Sequence, residues 1–213
     1  WRAPIKDVYW ESRGPWGVGP GDLGVDVGDV NGDGFDDVAT IPADWTYGGG
    51  GTVNTLQVFK SDGSELWSTS ILIDGGCVAI ADVDLDSKGE VFVFGTNKDV
   101  YIESDDVVYA FDHDGLKMWE YWDRDDYGFW AVRATAIAFA NVDTDPELEI
   151  IVLNGAYLNH FVYVLDTNGS LIWRFLGNQG FLLLGDVTGD GIEELIILTN
   201  YLGNGIFVVN KSN

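Results

Sequence analysis

The sequence holds a single cysteine, Cys77, so an intrachain disulfide and a thiolate metal cluster are both excluded. Cys77 sits in the apolar run Cys77-Val78-Ala79-Ile80 and reads as a small buried hydrophobe. No stretch approaches 18 uninterrupted apolar residues, which excludes a membrane-spanning helix. No segment shows a sustained 3.6-residue apolar period closed by caps, so helix content is expected near zero. Proline is scarce, at 5, and histidine scarcer, at 2. Cations are few as well: 11 Lys and Arg stand against 35 Asp and Glu, a formal charge of −24. Such a field repels nucleic acid and anionic membrane, and self-repulsion costs stability unless cations neutralise it. The opening Trp1-Arg2-Ala3-Pro4 is no signal peptide, although a processed chain would have lost one.

What is present is apolar residue, glycine and repetition. At 213 residues with 46% apolar content, a single domain with a sizeable core is expected. The 28 glycines suit many tight turns between short strands. Residues 28–38 read GDVNGDGFDDV, 81–91 ADVDLDSKGEV, 140–150 ANVDTDPELEI and 185–195 GDVTGDGIEEL. With the second residue of each as position 1, the copies start at Asp29, Asp82, Asn141 and Asp186, spaced by 53, 59 and 45 residues. Apolar runs flank the copies, such as Val78-Ala79-Ile80 before the second and Val91-Phe92-Val93-Phe94 after it. Runs this short, bounded by turn residues, favour buried strands.

A second motif follows each of the first three loops: QVFKSDGSELW at 57–67, YAFDHDGLKMW at 109–119 and YVLDTNGSLIW at 163–173. Asp62-Gly63, Asp114-Gly115 and Asn168-Gly169 signal hairpins that end on strands bearing Trp67, Trp119 and Trp173. Each repeat thus reads as four antiparallel strands, the unit of a β-propeller blade. The expected fold is a single all-β domain over 1–213, a propeller of four blades at about 24–69, 77–121, 134–175 and 180–213. Asp7-Val8-Tyr9-Trp10-Glu11 aligns with Glu65-Leu66-Trp67-Ser68, so an N-terminal strand at 5–12 is expected to complete the fourth blade and close the ring. Closure removes free sheet edges. The alternative is a fragment of a larger propeller.

The loops read D-x-[DN]-x-D-G-x-x-[DE], with oxygen donors at positions 1, 3, 5 and 9 and a backbone carbonyl at 7. Loop one offers Asp29, Asn31, Asp33, the Phe35 carbonyl and Asp37. Loop two offers Asp82, Asp84, Asp86, the Lys88 carbonyl and Glu90. Loop three offers Asn141, Asp143, Asp145, the Glu147 carbonyl and Glu149. Loop four offers Asp186, Thr188, Asp190, the Ile192 carbonyl and Glu194. Hard oxygens at variable distance suit Ca²⁺ better than octahedral Mg²⁺, and zinc or copper would want the absent His and Cys. These are not EF-hands, because position 12 holds Thr40, Val93, Val152 and Ile197 instead of a bidentate Glu. One such loop could be a solvated acidic turn. Four in phase, each gathering carboxylates that repel one another without a cation, point to four calcium sites.

Residues 23–43, LGVDVGDVNGDGFDDVATIPA, resemble an FG-GAP (integrin α-like) repeat, and the other three copies are similar to VCBS repeats. The resemblance implies a propeller whose loops bind Ca²⁺ on one face and which serves extracellular or cell-surface adhesion, recognition and assembly. The connectors expected on the other face are rich in aromatics: Trp16, Trp45, Tyr47, Tyr101, Trp122, Tyr127, Phe129, Trp130, Tyr157, His160 and Tyr201. Rigid aromatics in loops anchor interfaces. They imply a protein partner or a second copy of the chain in an oligomer or filament, with a glycan as a further option. Neither nucleic acid nor membrane insertion is expected. His113 and His160 fall in different connectors and no nucleophile–base arrangement is visible, so the chain reads as non-enzymatic. The alternative is a carbohydrate-binding or polysaccharide-degrading propeller, a lyase or hydrolase.

Overall fold

The computed structural model describes residues 24–41, 53–73, 76–98, 104–123, 134–155, 160–176, 180–199 and 205–209. Every regular element among them is a strand. Sheet one comprises β1 (Gly24–Gly28), β2 (Asp37–Ile41), β3 (Val53–Phe59) and β4 (Glu65–Leu72). Sheet two comprises β5 (Gly76–Ala81), β6 (Glu90–Lys98), β7 (Ser104–Phe111) and β8 (Lys117–Asp123). Sheet three comprises β9 (Ala134–Ala140), β10 (Glu149–Gly155), β11 (His160–Leu165) and β12 (Leu171–Leu176). Sheet four has three strands among the described residues, β13 (Gly180–Gly185), β14 (Glu194–Thr199) and β15 (Gly205–Val209). Each sheet is an antiparallel meander whose strands pair in chain order. Among the described residues no sheet closes on itself.

The sheets pack face to face in sequence, and strand periodicity shows how. Along β6, Val91 and Val93 face sheet one, with Leu56, Val58 and Ile80 in the same buried cluster. The alternate residues Phe92 and Phe94 face sheet three, with Ile150, Val152 and Tyr163. Along β10, Ile151 turns the other way, joining Val162, Val164 and Leu195 of sheets three and four. A strand covered on both faces favours apolar residues on both, which is why Val91–Phe94 and Ile150–Leu153 are unbroken apolar runs. Each fully buried Val, Ile or Phe contributes about 1.5–3 kcal/mol, so these three interfaces hold the stack together. Among the described residues the outer faces of the end sheets are open: Val25 and Val27 of β1 are 56% and 53% exposed, and Leu183 and Val208 of sheet four 54% and 53%.

The hairpins between third and fourth strands share one shape. In sheet two Gly115 N–H donates to the Asp112 carbonyl and Asp112 N–H to the Leu116 carbonyl, and sheets one and three repeat the pattern. Gly63, Gly115 and Gly169 hold φ of +84, +78 and +81°, a region cheap only for glycine. After each turn one extra residue bulges from the ladder: Leu66, Met118 or Ile172, immediately before the Trp. The Trp then reaches across to the next sheet. Trp67 Nε1–H donates to the His113 carbonyl at 2.8 Å, and Trp119 Nε1–H to the Thr167 carbonyl at 2.7 Å. The indole lies flat on the turn glycine; a Cβ at Gly115 would sit 2.7 Å from Trp67 Cδ2, and one at Gly169 2.6 Å from Trp119 Cδ2.

The structure corrects two placements of expected connector aromatics. Trp122 lies in β8, half-buried, 6.4 Å from the Tyr109 ring, because the fourth strand runs on past Trp119. His160 opens β11 rather than a connector. Trp16, Trp45, Tyr47, Tyr101, Tyr127, Phe129, Trp130, Tyr157 and Tyr201, with the expected strand at 5–12, lie outside the described residues.

Candidate metal centre

Each Asp-rich loop joins the first strand of a sheet to the second. Its shape requires left-handed backbone at positions 4 and 6. Loop one supplies Gly32 and Gly34 there (φ +74 and +86°) and loop four Gly189 and Gly191 (+79 and +89°). Loop two adopts the same conformation with Leu85 and Ser87 (+65 and +74°), at a steric cost glycine would avoid. Loop three departs, because Pro146 at position 6 fixes φ near −65°.

Within this frame the odd-numbered side chains turn onto the loop's own backbone. At position 3, Asn31, Asp84 and Asp143 accept the N–H two residues on, at 2.9, 3.1 and 2.9 Å. At position 5, Asp33, Asp86, Asp145 and Asp190 do the same at 2.9, 2.8, 3.1 and 3.0 Å. Position 1 accepts several donors where the glycines are: Asp29 from Gly32, Asp33 and Gly34, and Asp186 from Gly189, Asp190 and Gly191. Asp82 accepts only Ser87 N–H, at 3.0 Å.

Position 9 is the most regular. Asp37, Glu90, Glu149 and Glu194 are all buried, at 0, 2, 1 and 0% exposure. Each accepts the N–H of the position-2 residue, Val30, Val83, Val142 and Val187, at 3.2, 2.9, 2.6 and 2.8 Å. Thr188 adds its hydroxyl to Glu194 Oε1 at 3.2 Å. Burying a carboxylate beside others is costly. Burial raises Asp37 and Glu149 above the usual carboxylate range, and backbone N–H donation only partly opposes it. Burial, with Asp84, Asp86 and Asp82 nearby, pushes Glu90 up to about 7. Asp186, held by Gly191 N–H, is lowered.

Carboxylate oxygens converge in three of the four loops. Asp82, Asp84 and Asp86 lie within 4.8 Å of one another, as do Asp143, Asp145 and Glu149, and Asp186, Asp190 and Glu194. Loop one is not among these groups; its Asp37 accepts the Val30 and Asn31 N–H, each at 3.2 Å. Three buried side-chain oxygens have no hydrogen-bond partner among the described residues: Asp37 Oδ1, Asp82 Oδ1 and Asn141 Oδ1. All belong to positions that the sequence assigns to metal. An oxygen-only donor set with orphaned buried acceptors fits a hard cation. At position 7 the side chains leave the loop, so only the main chain remains to serve the site. Phe35 is exposed, Lys88 Nζ lies 2.8 Å from His113 Nε2, and Glu147 Oε2 accepts the Thr167 hydroxyl at 2.7 Å. Ile192 is half-buried.

Sequence reasoning missed that the loops are tied to one another. Gly89 N–H of loop two donates to the Asp29 carbonyl of loop one at 2.8 Å. Leu148 N–H of loop three donates to Val83 at 3.0 Å, and Glu193 N–H of loop four to Asn141 at 2.9 Å. Position 8 of loops two, three and four therefore bonds to position 1 or 2 of the loop before. These are backbone groups, so no residue type announces them.

His113 pairs with Asp112 and Lys88, and desolvation pushes the thiol of the half-buried Cys77 up to about 12. Among the described residues no helix is long and apolar enough to cross a membrane.

No family model matches the chain. No curated protein matches it either. Among solved structures the chain is similar to the biofilm matrix protein Bap1 of V. cholerae, at 20% identity and a TM-score of 0.39. The match covers 88% of this chain and 37% of that one, so the chain spans little more than a third of Bap1's length.

Proposed function

We propose that the chain is a calcium-stabilised β-propeller of FG-GAP/VCBS type, working outside the cell as a structural, adhesion or self-assembly module rather than as an enzyme. The observation that carries this reading is the set of buried position-9 carboxylates with orphaned oxygens beside them in three loops. Such groups persist without partners only if something else completes them. Four Ca²⁺ would bring the formal charge of −24 to −16. They would also act on the whole stack. A cation that fixes one loop fixes the carbonyl to which the next loop's position-8 N–H is bonded, so metal binding stiffens the contacts between sheets.

Four blades closed by the strand at 5–12 is the arrangement this reading adopts. Extracellular modules typically bind calcium with Kd on the order of 10⁻⁴–10⁻³ M, and such sites fill only outside cells. The partner is another protein or a second copy of the chain, met through the connector aromatics, with a glycan as the other candidate. Light scattering and electron microscopy in millimolar calcium, alongside a glycan array, test this. Oligomers or filaments that weaken on Trp130→Ala support self-association. A strictly monomeric chain without a protein partner, or cleavage of a polysaccharide, would contradict it.

A further inference from the structure

Each bond between loops shares a peptide with a main-chain oxygen assigned to calcium. The Gly89 N–H that donates to the Asp29 carbonyl at 2.8 Å lies in the same planar group as the Lys88 carbonyl. The Leu148 N–H, on the Val83 carbonyl at 3.0 Å, shares its peptide with the Glu147 carbonyl. The Glu193 N–H, on the Asn141 carbonyl at 2.9 Å, shares its peptide with the Ile192 carbonyl. In a trans peptide the N–H and C=O point opposite ways, so the earlier loop fixes the direction of the later loop's carbonyl. The contact between loops one and two is tight. A Cβ at Gly89 would sit 2.6 Å from Ile80 Cγ2 and 3.0 Å from the Asp29 carbonyl oxygen, and one at Gly32 3.0 Å from Lys88 Cγ. The side chain of position 7 holds the same segment from another direction: Lys88 Nζ lies 2.8 Å from His113 Nε2, and Glu147 Oε2 accepts the Thr167 hydroxyl at 2.7 Å. A peptide gripped in this way cannot turn its carbonyl without disturbing the loop before it.

We propose that the loops fill with calcium cooperatively, neighbour by neighbour, and that the peptide between positions 7 and 8 carries the coupling. This rests on the calcium reading above and adds to it a regulation of one site by the next. Asp29 is at once a side-chain ligand of loop one and the residue whose carbonyl orients the Lys88–Gly89 peptide. An ion that fixes Asp29 therefore orders loop two before its own ion arrives, so the second binding step loses less conformational entropy. Donation by the Gly89 N–H also polarises the Lys88 carbonyl and makes its oxygen a better ligand. Val83 serves loop three in the same way, held between Asp82 and Asp84 with its own N–H on Glu90 at 2.9 Å. Coulomb forces alone do not give this sign. Loop one has three ligand carboxylates, Asp29, Asp33 and Asp37, and a divalent ion leaves it one negative charge. An empty loop with Asp33→Ala keeps up to two. Charge alone would then have loop two bind calcium no more weakly in that variant; the shared peptide makes it bind more weakly.

The test is a calcium titration of the full, chelator-stripped chain by NMR, with the amides of Gly34, Lys88, Glu147 and Gly191 reporting the four loops separately. Asp33→Ala should raise the calcium midpoint at Lys88 about fivefold or more, with a smaller rise at Glu147 and the least at Gly191. Because linkage is reciprocal, Asp84→Ala should raise the midpoint at Gly34 by a comparable factor, and that at Glu147 as well. Gly89→Ala keeps every ligand oxygen but forces the two loops apart, and should bring the factor between them close to one while loops three and four keep theirs. A midpoint at Lys88 that is unchanged or lower in Asp33→Ala overturns the coupling and leaves the calcium reading standing. Equal rises at all three remaining loops overturn it too, as general loss of stability. An unaltered factor in Gly89→Ala overturns the shared peptide as the route; if that variant does not fold, the two aspartate variants decide alone. No calcium-dependent shift at any loop of the wild type overturns the coupling and the calcium reading together.

Discussion

Glu90→Gln in metal-free protein puts a number on what the empty sites cost. Glu90 is 2% exposed, and burial beside Asp84, Asp86 and Asp82 pushes its pKa from 4.5 to about 7. A carboxyl whose folded pKa lies above its unfolded value holds its proton more tightly when folded. Its contribution is fully present below about 4.5 and is lost as pH rises through about 7. That interval, at about 1.4 kcal/mol per pH unit, makes ionised Glu90 a penalty of about 3 kcal/mol at pH 8. Gln keeps an oxygen for Val83 N–H and removes the charge. Chelator-treated wild type and variant should therefore unfold alike in denaturant at pH 4, while at pH 8 the variant should be the more stable by up to about 3 kcal/mol. In millimolar calcium the order should invert, since the variant has lost an anionic ligand. A variant no more stable than wild type at pH 8 in chelator would refute the argument.

Other expectations follow from the same geometry. Asp84→Ala should weaken calcium binding at loop two and lower the melting temperature in calcium more than in chelator, read by calorimetry and thermal melts. Trp119→Phe keeps most of the packing on Gly169 but loses the bond to Thr167, and should cost about 1 kcal/mol in denaturant unfolding; no loss would show that the bond exchanges evenly with water. Ser87→Gly removes left-handed strain of about 1 kcal/mol, offset in part by the greater freedom of glycine in the unfolded chain. It should leave metal-free stability unchanged or slightly raised, and a clear loss would mean the loop is not strained there.

Much of this was legible in the sequence because the informative residues are repeated and chemically unambiguous. The runs around Val91–Phe94 and Ile150–Leu153 announce strands because both of their faces are covered. β1 carries no such run. Its face toward sheet two holds Asp26, whose carboxylate accepts Ile80 N–H at 2.8 Å, and Gly28, where a Cβ would meet Ile80 Cγ2 at 2.8 Å. A strand chosen for close approach looks like a turn in sequence. Trp122 was misplaced for a related reason: the hairpin signal ends at Trp119, and nothing local shows that the strand continues. The inequality of the loops was hidden as well. Loop one matches the motif as well as loop four does, yet its carboxylates do not converge as those of loop four do.

The central claim is that calcium completes these loops and thereby holds the sheets together. Differential scanning calorimetry of the purified chain across a calcium titration, against chelator and against zinc, tests it most directly. At a hundredfold excess over Kd each occupied site adds about 2.7 kcal/mol, so the transition should climb steadily with calcium and stay low in chelator. A transition at the same temperature in chelator and in millimolar calcium, or one raised by zinc instead, would contradict it.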